Sequence, residues 1–555
     1  MKKYLYIALA ALGFAACAEK IDDNSPVQNG ELEESYIAIN LMSADVETRA
    51  GEDKLGSDYG YEQGTVAERA IKTAYFFFFD ASGNPFNVTA SAPGGEKNHM
   101  QLTIGNTTGN VDPNVSDIKE AILVLNTYKG VYPSKIVAVL NWAPEQKTYT
   151  LAKLHEELAT LGNDANGYVM SNSVYMDGAG KVADAVPVTS ANIKTSAEDA
   201  LNAPIDIYVE RIAAKVALTA SGTVEGTTDI FDTQKNSTPI LSVGNSSEID
   251  VFVKLHGWEL YNDYSNSTLL KNINTSWDVQ ELGLTWNDIP YYRCYWAQSQ
   301  DADPNDSFSW KYSDNSFPTE YGFGVGAYTY CGENTNGADK GTKVILKGQL
   351  MQKNQDNTYS ALELARWYGT EYAGNEALRT AVANSLKYTL FSSADGNEFT
   401  AITPADLECV AGTPGEGVKA YEVVFQLSST GEVKTWYQYS SANGYQAFDL
   451  NNNKTKANEY LATVEPALLY TNGQTYYFVD VEHLGTAGAK YGVVRNHVYQ
   501  IEVKSIKGYG SPVYNGFSNI VTPPEYPTED EASYVAARIN VLSWKVVKQG
   551  VNIGQ

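Results

Sequence analysis

Motifs that could catalyse a reaction or bind a metal ion are each incomplete in this sequence. The tetrapeptide HEEL at 155–158 begins like a zinc-protease motif, but Ala159 stands where the second histidine ligand is required. The segment DADPND at 301–306 has oxygen ligands at alternate positions, but Tyr312 occupies the place of the bidentate glutamate of a calcium loop. Carboxylates are plentiful, yet no pair is singled out as a glycosidase pair. We therefore predict no metal site, no cofactor and no enzymatic activity.

Cys17 is a candidate for chemical modification of the chain itself. Lys2 and Lys3 precede an apolar run that ends in GFAAC and is followed by polar residues, which is typical of a secretory signal peptide. The small residues before Cys17 resemble a bacterial lipobox, in which this cysteine becomes the lipidated first residue. A plain signal peptide with an incidental cysteine is the alternative interpretation.

Arg49 is a candidate site of proteolytic cleavage. It is the first arginine of the chain, lies in a polar segment and is followed by the small residue Ala50. Residues 36–42 just before it alternate as a β-strand does, with Ile37, Ile39 and Leu41 on one face. A strand of core quality therefore lies on the side of the cleavage site that would be removed.

Length, composition and charge limit the class of protein. The chain has 555 residues, 43% hydrophobic and 12% aromatic, which predicts more than one packed domain and favours sheets over helical bundles. The formal net charge is −26. Such a charge repels phosphate backbones and anionic lipid, so we predict no nucleic-acid partner and no membrane contact other than through a lipid on the precursor.

The pattern of apolar residues predicts many short strands and few helices. Strand patterns occur at 36–42, 69–86, 134–142, 203–220 (as two strands), 249–260, 342–350, 475–484, 493–510 and 535–547, and one short helix is expected at 151–161. This arrangement without an internal repeat favours an all-β protein made of two β-sandwiches. The aromatic and acidic stretch 291–316 is expected to form surface loops, and Cys294, Cys331 and Cys409 to be buried thiols, with one disulfide pair left open.

The end of the chain carries a strand pattern that alternates as residues 36–42 do. Its apolar residues are Val535, Ala537, Ile539 and Val541 on one side, then Leu542, Trp544 and Val546 on the other. The change of side at Leu542 suggests a bulge or a bend between two strands. The acidic linker 511–534, with prolines at 523 and 524, favours an extended chain that carries this strand away from its own domain.

Several motifs together resemble the fimbrillins of Bacteroidales, and above all the main subunit of their short, or minor, fimbria. The motifs are GVVRNHVYQIEVKSIKGYG at 492–510, the terminal INVLSWKVV at 539–547, IYVERIAAKV at 207–216, IVAVLNW at 136–142 and VMSNS at 169–173. The lipobox at Cys17 and the first arginine fit the same pattern, whereas 225–470 matches only loosely.

The resemblance implies a surface lipoprotein, acylated for example with palmitate, that is exported to the outer membrane and built from two transthyretin-like β-sandwiches. An arginine-specific protease would cut between Arg49 and Ala50 and remove a placeholder strand formed by Ile37, Ile39 and Leu41. The C-terminal strand of another copy would then fill the groove by donor-strand exchange, because a sheet that has lost a strand exposes unpaired backbone and apolar side chains. Having both a cleavage site and a donor strand indicates a stalk subunit rather than a tip or an anchor.

We therefore divide the chain into five parts: a lipoprotein signal peptide (1–17), a propeptide with the placeholder strand (18–49), an N-terminal sandwich (50–225), a C-terminal sandwich with long loops (226–510), and a linker with the donor strand (511–555). The predicted function is a polymerising, adhesive fimbrial stalk subunit. Its predicted partners are copies of itself, accessory tip and anchor subunits, the protease, and a host or bacterial surface ligand. The alternative is a monomeric surface lipoprotein that binds glycans through the aromatic residues of 291–312.

Overall fold

The structure is a computed structural model that describes residues 32–43, 65–88, 96–102, 118–128, 130–172, 175–176, 182–183, 185–227, 229–272, 299, 328–415, 417–419, 421–483, 491–514, 516, 534–542 and 546–550. Within these ranges the chain is mainly β, with few short helices, as predicted. No helix in this described part is long and apolar enough to cross a membrane.

One eight-stranded sheet forms the first part of the molecule. Its strands are β1 (Leu32–Ser43), β2 (Ala74–Phe79), β3 (His99–Leu102), β4 (Ile118–Tyr128), β5 (Lys135–Leu140), β9 (Met170–Asn172), β12 (Val186–Pro187) and β13 (Ile205–Arg211). Their order is β3-β2-β5-β9-β13-β1-β4, with β12 beside β5. Short elements surround this sheet: α1 (Leu151–Glu156), β6 (Leu158–Thr160), β7 (Gly162–Asn163), β8 (Gly167–Tyr168), β10 (Tyr175–Met176), β11 (Val182–Ala183) and α2 (Ala197–Leu201).

Both faces of this sheet are covered, which explains the uninterrupted aromatic run of β2. Phe76 and Phe78 pack in one apolar core and Phe77 and Phe79 in another, on the opposite face. A strand buried on both faces does not need the alternation of apolar and polar residues that a half-exposed strand shows.

The chain passes from the first sheet to the second at Ile212 and Ala213. β14 (Ala214–Ala220) leaves the eight-stranded sheet and pairs in parallel with Val498–Lys507 near the far end of the chain. This crossing lies before the sequence-based boundary at 225/226, and the five domain limits stay a prediction.

A second part of the molecule is a sandwich of a five-stranded and a nine-stranded sheet. The five-stranded sheet has the order β18-β14-β31-β33-β34, with β18 (Tyr328–Cys331), β31 (Val498–Lys507), β33 (Tyr534–Leu542) and β34 (Val546–Gly550). The nine-stranded sheet contains β15 (Ile230–Ser242), β16 (Asn245–Tyr261), β19 (Lys343–Lys353), β20 (Tyr359–Ala361), β21 (Leu364–Trp367), β22 (Thr370–Ala373), β29 (Leu468–Tyr470), β30 (Gln474–Asp480) and β32 (Ser511–Pro512). One continuous core joins the two sheets, and β17 (Asn266–Thr268) pairs with β6 of the first part.

A helix-containing unit is inserted between β22 and β29. It contains α3 (Gly374–Leu386), β23 (Leu390–Ser392), β24 (Thr400–Ala401), β25 (Leu407–Ala411), β26 (Val423–Leu427), β27 (Trp436–Ser440), β28 (Gly444–Ala447) and α4 (Asn453–Leu461); two single 3-10 turns lie at Pro404–Asp406 and, just after β29, at Thr471–Gly473. The unit has its own core, in which α3 buries Leu378, Val382 and Leu386 at helical spacing.

Most strands predicted from the sequence are confirmed, and two elements are corrected. The predicted helix 151–161 ends at Glu156, because Leu158–Thr160 pairs as a strand with Asn266–Thr268. The strand pattern at 535–547 is divided into two strands, with the break after Leu542, where a bulge or a bend was predicted: Tyr534–Leu542 and Val546–Gly550 form an antiparallel pair, so the chain reverses fully between them. The change of apolar side at Leu542 thus marks a hairpin. The buried thiols are confirmed for Cys331 and Cys409, which are not paired, while Cys294 and the aromatic stretch 291–316 lie outside the described residues.

Candidate assembly sites

Strand β1 lies inside the eight-stranded sheet, between two neighbours. It runs antiparallel to β4, with Ile37 opposite Leu123 and Leu41 opposite Lys119. On its other side it runs parallel to β13, with Ile39 opposite Ile205 and Leu41 opposite Ile207. Among the described strands, β4 has no other partner than β1. Loss of β1 would therefore leave the backbone groups of both neighbours unpaired on the facing sides.

Ile37 connects β1 to the core of the first part. Its side chain is fully buried, in the same apolar cluster as Leu123, Leu125, Ile205 and Ile207. Burial of a large aliphatic side chain stabilises a fold by roughly 1.5–3 kcal/mol. The slot between β4 and β13 is thus an apolar groove that β1 fills.

The other predicted site residues are placed only in part. Ile39 and Leu41 lie in β1. Of the predicted donor residues, Val535, Ala537, Ile539, Val541 and Leu542 lie in β33 and Val546 in β34. Cys17, Arg49, Ala50 and Trp544 lie outside the described residues. Their predicted roles stay predictions.

A tight turn at Thr65–Arg69 anchors the chain downstream of the predicted cleavage point. The Thr65 N–H donates to Glu68 Oε2 at 2.6 Å, and the Glu68 N–H donates to Thr65 Oγ1 at 3.2 Å. Arg211 Nε donates to the Glu68 carbonyl at 2.7 Å. None of these three hydrogen bonds involves a residue upstream of Thr65.

Glu68 also joins the anchor to the second part of the molecule. Its buried carboxylate lies 3.0 Å from Lys215 Nζ of β14 and accepts a hydrogen bond from the hydroxyl of Tyr330 in β18. Burial alone raises the pKa of Glu68, but the hydrogen bond from Tyr330 and the charge of Lys215 outweigh it, and the net pKa is lowered. Glu68 is therefore held as an anion at the junction of the two parts.

Two further buried ion pairs lie at the same junction. Lys271 Nζ lies 2.8 Å from Glu210 Oε1, and Arg495 Nη2 lies 3.0 Å from Glu333 Oε2. Burial raises the pKa of Glu210, although the charge of Lys271 opposes the shift. Arg495 also donates from Nη2 to the carbonyl of Thr268 at 2.9 Å. Such paired charges hold the two parts in one arrangement, because breaking a buried pair leaves a charge without its partner.

This junction is not predicted by any motif of the sequence. Its members are far apart along the chain: Glu68 and Lys215 are 147 residues apart, and Glu333 and Arg495 are 162 apart. The available signal was a charged residue within an otherwise apolar strand, as with Glu210, Arg211 and Lys215 in the segment 203–220.

The C-terminal hairpin lies on the free edge of the five-stranded sheet of its own chain. β33 runs antiparallel to β31, with Ile539 opposite Ile501 and Val541 opposite Tyr499. β34 then pairs with β33 and forms the outer edge of the sheet. In this single chain the predicted donor strand is thus already paired, and among the described strands the hairpin is the last member of its sheet.

The described residues contain no group of three or more histidine, cysteine, aspartate or glutamate side chains suited to hold a metal ion. Burial lowers the pKa of His99 and of His256 to about 4, so both imidazoles are neutral at pH 7. His99 packs against the rings of Phe77 and Tyr149, with centroids at 5.2 and 6.4 Å. His99 is thus part of a buried aromatic cluster.

Comparison with known proteins adds a family match for the end of the chain. Residues 468–550 match the family model described as major fimbrial subunit protein type IV, fimbrillin, C-terminal. This range contains β29 to β34, including β31 and the C-terminal hairpin. None of the curated proteins compared with the chain matches it.

Some solved structures of fimbrial proteins align with most of the chain at low identity and low TM-score. A fimbrilin from Porphyromonas gingivalis has 11% identity and a TM-score of 0.39, over 93% of this chain and 98% of that one. A fimbrial assembly protein from Parabacteroides distasonis has 11% identity and a TM-score of 0.29, over 74% and 100%. A tip fimbrial protein from Porphyromonas gingivalis has 11% identity and a TM-score of 0.28, over 92% and 100%. The similarity to fimbrillins thus rests on the family match of residues 468–550.

Proposed function

We propose that this protein is a structural stalk subunit of a cell-surface fimbrium, which polymerises by donor-strand exchange after cleavage at Arg49 and supports adhesion. It is not an enzyme. The fimbrillin family match at 468–550 supports the fimbrial role. Of the two fimbria types, the motif resemblance favours the short, or minor, fimbria, and two transthyretin-like sandwiches are its proposed domains.

The position of β1 is the observation that carries the proposal. Strand β1, near the N-terminus, lies between two strands of the sheet and buries Ile37 in the core. A segment of 21 residues, 44–64, joins it to the anchor at Thr65. That joining segment contains Arg49. One cut there separates a core strand from the chain without breaking the anchor, and so opens a groove for a second strand of the same kind.

Donor-strand exchange requires the C-terminal hairpin to leave its own sheet. β33 has nine residues against the twelve of β1, so it can replace most of that strand. In the proposed filament β33 takes the direction of β1, antiparallel to β4 and parallel to β13 of the next copy. Val535, Ala537, Ile539 and Val541 then stand in the place of the β1 residues that faced the core.

The remaining steps follow from the N-terminal sequence. Cys17 is the proposed lipidation site, so that the precursor is held at the outer membrane and the mature form is found in the fimbrium. An arginine-specific protease releases residues up to Arg49, and Ala50 becomes the first residue. Tip and anchor subunits and a surface ligand complete the proposed set of partners. Edman sequencing of filaments should begin at Ala50, and a first residue at Cys17 would contradict the cleavage.

The experiment that tests the proposal is truncation after Ser533. We expect a folded protein that the protease still cuts but that forms no filaments, as seen by negative-stain microscopy and a gel ladder. A matched pair of substitutions distinguishes loss of the apolar donor contact from a general effect of an added negative charge. Ile539→Asp places a charge in the groove of the next copy and should prevent polymerisation, whereas Lys548→Asp, in the outer strand β34, should leave it intact. Normal filaments from the truncated protein would refute the mechanism.

A further inference from the structure

The small sheet of the helix-containing unit has one buried and one aromatic face. The sheet has the order β24-β23-β27-β28. Leu390 and Trp436 are fully buried on the side that faces the core of the unit. The strand positions of the opposite face, read from the register, are Phe391, Ala401, Tyr437, Tyr439, Tyr445 and Ala447. A solvent-facing sheet side normally carries polar and charged residues, and none of these positions is charged.

The rings on this face form one contiguous surface, to which Phe399 from the turn before β24 adds a fifth ring. The ring of Phe399 stacks on that of Tyr445, with a centroid distance of 3.8 Å and an angle of 3°. Phe391 meets Tyr445 edge-on at 5.0 Å, and Tyr439 lies 4.8 Å from Tyr445. Mutual contact fixes the orientation of the rings, so the surface is rigid before any ligand binds. We call these five residues (Phe391, Phe399, Tyr437, Tyr439 and Tyr445) the aromatic face.

The aromatic face is open to solvent on its outer side. Tyr439 and Tyr445 are 37% and 39% exposed. The hydroxyls of Tyr437, Tyr439 and Tyr445 make no hydrogen bond to any described residue. Contiguous exposed aromatic surface of this kind marks a binding site, since scattered single residues are normal but a cluster is not. Rings that alternate with free hydroxyls can contact a ligand with both apolar and hydroxyl groups.

Charge decides between the classes of ligand. The whole chain has a net charge of −26, and the face presents no basic side chain at its strand positions. Phosphorylated, sulfated and sialylated ligands are therefore disfavoured. Asp395, close to the face in the turn, has its pKa lowered to about 2 by hydrogen bonds from the backbone of Asn397 and Glu398. Its carboxylate is thus engaged within its own turn and is not the basis for binding a cation.

We propose that the aromatic face binds a neutral oligosaccharide, whose C–H faces stack on the rings and whose hydroxyl groups bind the three free tyrosine hydroxyls. The face is the solvent-exposed side of a sheet, so we expect each copy to hold the sugar weakly. Repetition of the face along a filament, which rests on the proposed function, raises the overall affinity without new contacts.

The test uses the full chain in its uncut, monomeric form. The probe is a glycan array with neutral glucan, mannan and galactan oligosaccharides next to sialylated and sulfated ones, followed by titration with the best neutral hexasaccharide. We expect the protein to bind neutral oligosaccharides and not the sialylated or sulfated ones. Tyr445→Ala should weaken it by about tenfold, because that ring contacts three others of the face. The matched control is Tyr388→Ala, because Tyr388 is 71% exposed in the same unit and makes no ring contact with the face.

Three outcomes would overturn the proposal: no neutral glycan binds, charged glycans bind better than neutral ones, or Tyr388→Ala weakens binding as much as Tyr445→Ala. Concentration-dependent dimers that Tyr445→Ala abolishes, without glycan binding, would assign the face to a second copy of the chain. Tyr445→Ala should still form filaments after cleavage, so failure of glycan binding and failure of the proposed function are distinguished.

Discussion

Substitution of Ile37 by alanine tests whether β1 is held mainly by its core contact. Ile37 is fully buried between strands that differ in their other partners: β13 also pairs with β9, whereas β4 pairs with β1 alone among the described strands. Replacing a buried isoleucine with alanine removes its contacts and leaves a cavity, at a cost of about 2–5 kcal/mol. We expect the free energy needed to separate β1 from the slot to decrease by this full amount.

Hydrogen exchange of the uncut protein measures this separation directly. Amides of β4 and β13 that bond to β1 exchange when β1 leaves, so their exchange should become roughly 30-fold to a few thousand-fold faster with Ile37→Ala. Amides of β2 and β5 should change little, because their ladder does not include β1. After cleavage, the same substitution should speed release of the cut strand and the first phase of polymerisation.

Ile122→Ala is the control for this experiment. Ile122 lies in β4 opposite Ala38, but it is half-buried on the other side of the sheet from Leu123 and Leu125. Its loss should change exchange by about tenfold or less. Unchanged exchange in β13 with Ile37→Ala, or an equal effect of Ile122→Ala, would refute the idea that the core contact of Ile37 retains β1.

Three other predictions concern buried polar groups. Glu68→Gln should lower the free energy of unfolding, measured in urea, by about 3–5 kcal/mol, and adding Lys215→Met should recover most of this loss. The pKa of Glu68 in the folded protein lies below its ordinary 4.5, so the stabilisation by its carboxylate is complete above pH 4.5 and decreases as the pH falls further. Glu68→Gln should not show this decrease. The pKa of His99 is about 4 against 6.5 when unfolded, so stability should fall by roughly 3 kcal/mol as the pH drops from 6.5 to 4, and His99→Phe should remove that dependence in a pH series of denaturation curves. Burial raises the pKa of Cys409 to about 12, so its thiol should react with iodoacetamide at pH 8 only after unfolding, as peptide mass mapping would show.

Strands were the predictable part of this fold. Alternation and apolar runs located β1, β2, β5 and the pair β13 and β14, because each of these buries side chains at a spacing that a single sequence displays. Helix α3 is not among the predicted elements, because Leu378, Val382 and Leu386 have helical spacing but form a stripe of only three large apolar residues. The short helix 151–161 was predicted too long because strand pairing with Asn266–Thr268 is not visible in local sequence.

The candidate sites were predictable only where they depend on the local alternation of apolar residues. The burial of Ile37 is predictable from the alternation of apolar residues around it. The position of β1 between β4 and β13 is not predictable, because the pairing of Ile37 with Leu123 and of Ile39 with Ile205 is set by long-range packing. The aromatic face was missed for the same reason. Phe391, Tyr437 and Tyr445 come from separate strands, and only their register brings the rings to one side.

The proposed exchange moves β33 from its place beside the outer strand β34 into the slot left by β1. In its own chain β33 has nine paired positions with β31 and five with β34. The slot of β1 offers eleven positions along β4 and five along β13, together with the apolar groove around Ile37. β33 is paired on both edges in either place, so we expect the transfer to be driven by the apolar groove around Ile37, which an incoming strand would cover. While β1 is tethered, its high effective concentration keeps the slot filled; one cut at Arg49 removes that advantage, and the C-terminal strands of neighbouring copies then compete on equal terms. Polymerisation before cleavage should therefore be absent even at high protein concentration, and filaments formed by uncut protein would show that the slot is not where subunits join.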